Sequence, residues 1–94
     1  MSRLESIGRS EMSKRTIRPL SCVADGHVVS VVSLTGGRGM QTRVTAMGLY
    51  VGKKIRVLHG GAAGGGPTLV AIDDVRLAIG HGMAQKVLVA VRNE

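Results

Sequence analysis

Apolar and polar positions change period several times along this chain, and each change marks an element. Over residues 27–34, Val28, Ser30, Val32 and Leu34 fall on one side of an extended chain, and Val29, Val31 and Ser33 on the other. Both faces are partly apolar, which predicts a strand of a small closed barrel whose outer side is covered by a loop or helix. The period then switches. Met40, Val44 and Met47 recur at i, i+4, i+7 and put three apolar groups on one helical face. Gly48 follows where a helix turns off in the left-handed conformation, because glycine lacks the Cβ that clashes there. With Gly48 as that residue, Leu49 and Val44 occupy the two positions that touch in a Schellman stop. Gly52 then turns the chain into the next strand.

Strand patterns return over residues 54–59, 68–72, 75–79 and 87–91. Asp73-Asp74 is a tight connection between the third and fourth strands. Residues 60–67 are glycine-rich and read as a mobile loop, and residues 80–86 as a single turn. The pattern therefore predicts an all-β chain of five short strands, with one short α-helix inserted after the first strand. Ahead of it, residues 1–19 are polar and of mixed charge, with Leu4, Ile7, Met12 and Ile17 scattered. They read as a flexible basic extension that Pro19 ends, leaving residues 20–94 as the folded domain.

Composition narrows the picture. The chain has 94 residues, of which 44 % are hydrophobic, yet Tyr50 is the sole aromatic. The core must be built from Val, Leu, Ile, Ala and Met, and the abundance of valine favours strands. Net charge is +7 and is spread along the chain, which suits an acidic partner, a nucleic acid or an anionic surface. Nucleic-acid binding is weakened as a reading because single-strand binders stack bases on several aromatic platforms. Cys22 is the only cysteine, so no intrachain disulfide forms and a reducing compartment is expected. No apolar run reaches the roughly 18 residues of a membrane span, and the N-terminus has no secretory apolar core. The expected location is the cytoplasm.

The candidate chemistry is sparse. Gly37-Arg38-Gly39 opens the helix, but the dinucleotide fingerprint needs a third glycine where Thr42 stands. Residues 48–54 approach a phosphate-binding loop but are one residue short and lack its Ser or Thr. Cys22, His27, His59 and His81 are the soft metal ligands, and none are paired at a ligand spacing. No catalytic triad or paired-carboxylate pattern appears. The chain reads as non-enzymatic, with no cofactor and no metal site assigned.

Several short motifs, taken in order, carry a resemblance. They are Leu20-Ser21 with Gly26 before the first strand, Arg43-Val44 followed by Met47-Gly48-Leu49, then Gly52, Gly66-Pro67, Arg76-Leu77-Ala78-Ile79, Ala84 and Val87-Leu88-Val89. Over residues 20–91 the chain resembles the FeoA family, ferrous iron transport protein A. The resemblance implies a five-stranded SH3-like barrel with the helix after the first strand. It also implies a cytoplasmic accessory role beside FeoB, the membrane ferrous-iron transporter that carries a G-protein domain. Similar domains end iron-dependent repressors, whose DNA-binding helices have no counterpart here. Two departures stand out: Gly80-His81 replaces a frequent basic pair, and the 19-residue extension is unusual. The docking face expected on this basis is Arg43 for a charged contact, with Val44, Met47, Leu49 and Tyr50 as an apolar patch. Replacing Leu49 with Asp is then expected to abolish docking while the fold survives. An exposed strand edge would also allow weak self-association. A nucleic-acid-binding barrel and a transition-metal binder are the alternatives.

Overall fold

Segments that carry β-branched residues and no Asp or Glu make the sheet, and turn residues separate them. In the computed structural model, residues 15–60 and 65–92 are described. The six strands are β1 (Arg15–Pro19), β2 (Val28–Leu34), β3 (Lys54–His59), β4 (Thr68–Ile72), β5 (Val75–Ile79) and β6 (Val87–Arg92). Two helices interrupt them: α1 (Arg38–Ala46) and the four-residue α2 (His81–Ala84); a 3₁₀ turn spans Leu20–Cys22. All pairings are antiparallel, in the order β1-β6-β2-β3-β4-β5.

Three of the five expected strands match residue for residue, β6 runs one residue longer, and the helix lies where the periodicity places it. β2 starts one residue late, and α1 follows it as anticipated. Three features differ. There are six strands among the described residues rather than five, because residues 15–19, read as part of the extension, pair with β6 from Arg15↔Arg92 to Pro19↔Leu88. The short turn expected over residues 80–86 contains a true helical turn, α2. The sheet order is open, so β1 and β5 are its edges and not a closed seam. Both edges carry arginine, and β1 ends in proline, which discourages a further strand from adding. Residues 1–14 and 61–64, which include most of the expected extension and the heart of the glycine-rich loop, lie outside the described residues.

One face of this sheet supplies most of the core. Val29 and Val31 of β2, Ile55 and Val57 of β3, Val70 and Ile72 of β4, Ile79 of β5 and Val87, Val89 and Val91 of β6 form a single cluster. Leu20, Val23, Val44, Leu49 and Ala84 join it from the turns and helices. A single sheet whose inner residues all meet must wrap around them. The alternation in β2 breaks at a register shift between Val31 and Ser33. The extra residue reverses the parity, so Leu34 packs on the core although it began on the side of exposed Val28.

Candidate functional site

The end of α1 and the turn after it form the most differentiated surface. α1 stops as its glycine predicts. Gly48 sits at φ 101°, its N–H donates to Thr45 O at 3.0 Å, and the Leu49 N–H donates to Val44 O at 2.9 Å. Those are the two bonds of a Schellman stop. They draw Leu49 back over the helix, where it is completely buried with Val44.

This placement corrects the expected docking face. Val44 and Leu49 are brought together, but inside the core, so neither can touch a partner. A leucine at 0 % exposure cannot become Asp with the fold intact, because an unpaired carboxylate would be buried. Periodicity shows that an apolar stripe exists; whether the stripe faces core or partner depends on tertiary packing. Met47 is half-buried and packs on the core. Arg43 and Tyr50 are exposed. Arg43 lies in the last turn of α1, where a cation complements the helix dipole. The outer side of α1 is polar: Arg38, Gln41, Thr42, Thr45 and Ala46 border a shallow groove.

Beyond Leu49 the chain makes a tight turn over residues 50–53. The Lys53 N–H donates to Tyr50 O at 2.9 Å, and Gly52 at φ 97° takes the position of the turn that needs a positive φ. The Gly52 N–H donates to Val31 O at 2.8 Å and the Val31 N–H to Lys53 O at 2.9 Å, tying the turn to β2. Val51 at its tip is 61 % exposed and Tyr50 is 46 % exposed. Val51 is not among the expected docking residues, although an apolar side chain before a turn glycine marks its position.

The Tyr50 ring is held from one side. Lys53 Nζ stands 5.9 Å from its centroid, within cation–π range. The same ammonium donates to Asp73 Oδ1 and Oδ2 at 2.9 and 2.8 Å. The hydrogen bond to Asp73 raises the Lys53 pKa above its ordinary value of 10.5, and the Asp73 and Tyr50 charges add to this, against a smaller opposing effect of burial. Asp73 opens the β4–β5 connection at φ 56°, a left-handed conformation that Asp tolerates better than most residues. Turn, aromatic, lysine and hairpin thus form one chain of contacts that holds an exposed Tyr-Val pair in place.

The soft ligands stay apart. Cys22, His27 and His59 are exposed and His81 is half-buried. His59 Nδ1 lies 3.6 Å from Asp25 Oδ2, and His81 Nε2 lies 3.1 Å from Gln85 Nε2. Among the described residues no three His, Cys, Asp or Glu side chains converge as a metal site would require. No helix of the described residues is long and apolar enough to cross a membrane.

An antiparallel sheet curled around an aliphatic core, with one short helix between its second and third strands, defines a small SH3-like domain. The family model of the FeoA domain matches residues 18–91, and the chain belongs to the FeoA family. The protein named "Putative Fe(2+) transport protein A" from Methanocaldococcus jannaschii is 31 % identical over 71 residues, covering 76 % of this chain and 83 % of that one. A crystal structure of an iron uptake regulatory protein (FeoA) superposes with a TM-score of 0.70 at 35 % identity, over 79 % of this chain and 95 % of that one. A manganese-dependent transcriptional repressor shares the fold at a TM-score of 0.71 and 25 % identity, over 80 % of this chain but 41 % of the repressor.

Proposed function

We propose that this protein is a non-enzymatic accessory factor of ferrous iron uptake that acts in the cytoplasm. It docks on the FeoB-type membrane transporter through the end of α1 and the turn after it, and adjusts that transporter's activity or assembly. Membership of the FeoA family supports the pathway. The observation that carries the docking face is the exposed Tyr50-Val51 pair on a turn pinned by Lys53 and Asp73. A rigid aromatic loses little conformational freedom on binding, which is why tyrosine is common among the residues that dominate interface energies. Arg43, exposed in the last turn of α1, supplies charge, and Met47 a deformable apolar edge. Val44 and Leu49 belong to the scaffold.

The test is co-purification of the full chain with the detergent-solubilised transporter, with and without guanine nucleotide. Retention in either state supports docking, and a dependence on nucleotide points to the G-protein domain as the contact. Absence of retention in both states, with the protein folded, refutes the transporter as partner and leaves the family relationship as a statement about fold.

A further inference from the structure

The six strands contain Arg15, Arg18, Lys54, Arg56, Arg76 and Arg92 and no Asp or Glu at all. Much of this charge stands on the side of the sheet away from the core. Register places Ile17, Ala90, Ser30 and Lys54 as successive cross-strand neighbours over β1, β6, β2 and β3. Beside that row, Val28, Arg56, Ala71 and Arg76 are successive neighbours over β2 to β5. The middle of the first row is made of short side chains, Ser30 and Ala90, and longer ones flank it. The result is a groove of about 400 Å³, floored by Ser30 and Ala90 and bordered by Arg15, His27, Val28 and Lys54. Among the described residues no carboxylate lines it. Ile17 is 54 % and Val28 49 % exposed on the same outer side.

We infer that this groove is a second interaction site, for an acidic segment of a partner protein in which carboxylates alternate with aliphatic side chains. It is lined by residues separate from the Tyr50-Val51 turn and does not depend on the docking proposed above. Two observations select this occupant. Among the described residues the charge around the groove is of one sign, which favours an anionic ligand. The arginines and lysine alternate with exposed Ile17 and Val28, which an acidic-aliphatic segment would bury and a sugar-phosphate backbone would not. The outer face also offers no Phe, Tyr or Trp platform for a base, its one ring being the small imidazole of His27, since Tyr50 belongs to the α1 turn. A concave groove with a floor of small residues fits side chains better than it fits a flat membrane surface.

The experiment titrates the isotopically labelled full chain with an end-blocked octapeptide of alternating Glu and Val, followed by amide chemical shifts. The same titration is run with an alternating Lys-Val octapeptide and with an oligothymidylate of eight nucleotides. Saturable shifts at Gly26, Ser30, Lys54 and Ala90 with the acidic peptide alone are expected. Lys54→Glu should weaken that binding about tenfold, and Arg38→Glu, an equal charge change on the outer side of α1, less than about twofold. Lys54→Gln keeps the length of the side chain and should give an intermediate loss, which guards against a folding defect in the Glu variant. Equal losses in Lys54→Glu and Arg38→Glu would overturn the proposal in favour of diffuse attraction. So would shifts centred on α1, tighter binding of the oligothymidylate, equal binding of the Lys-Val peptide, or no saturable binding below about 1 mM.

Discussion

Truncating Leu49 to alanine separates scaffold from surface at the end of α1. Leu49 is fully buried beside Val44, and its N–H closes the Schellman stop on Val44 O. Alanine keeps that backbone bond, so the change reports side-chain packing alone. Three carbons leave the core, worth about 0.8 kcal/mol each in transfer free energy, and a cavity term adds to them. A loss of about 3 kcal/mol follows, within the range of about 2–5 kcal/mol for buried leucine-to-alanine changes. A domain of this length has roughly 5–14 kcal/mol of stability in total, so the variant folds but is weakened. Urea unfolding followed by far-ultraviolet circular dichroism measures it. With a slope of about 1.5 kcal/mol per molar, the midpoint should fall by about 2 M. Tyr50→Ala, at an exposed position one residue further on, should cost less than about 1 kcal/mol. A loss below about 1 kcal/mol for Leu49→Ala would refute the reasoning. Leu49 would then be only loosely packed and would return to the candidate docking face.

Three further outcomes follow from single residues. Thr68 is completely buried, and its hydroxyl has no hydrogen-bond partner among the described residues; Thr68→Val should raise stability by about 1 kcal/mol in the same urea experiment. Gly60 faces the Val23 carbonyl so closely that a Cβ would stand well inside van der Waals contact with its oxygen. Gly60→Ala should therefore destabilise by about 1–3 kcal/mol, read as a lowered thermal midpoint. Lys53 has a folded-state pKa raised by its hydrogen bond to Asp73, so the pair's contribution is full below the ordinary value of 10.5 and fades as pH rises through the raised value. Thermal melts of wild type and Asp73→Asn should accordingly differ at neutral pH and converge above that range. The difference should also shrink in high salt, since the Asp73 side chain is 74 % exposed.

Local rules made much of the fold legible. Gly48, the Asp73-Asp74 connection and the alternation of β3 to β5 each follow from the conformational demands of a few neighbouring residues. β1 was not legible, because Arg-Thr-Ile-Arg-Pro has little strand character of its own and is extended by pairing with β6. The bulge in β2 was hidden for a similar reason: only the partner strand reveals that one residue is surplus. The site was half legible. Met40, Val44 and Met47 announced an apolar stripe, but burial on the sheet and exposure to a partner ask for the same residues at the same spacing. The contact of Lys53 with both Tyr50 and Asp73 joins segments twenty residues apart and has no local signature. The outer groove depends on cross-strand register, which single-strand alternation does not provide.

The docking face is tested most directly by the affinity of the solubilised transporter for wild type and for a Tyr50→Asp, Val51→Asp double variant, measured on an immobilised chain. Both positions are exposed, so the variant should keep its thermal midpoint within a few degrees. The account predicts a loss of affinity of at least about tenfold with the fold unchanged. Equal affinity for the two proteins would contradict it and place the docking surface elsewhere on the domain.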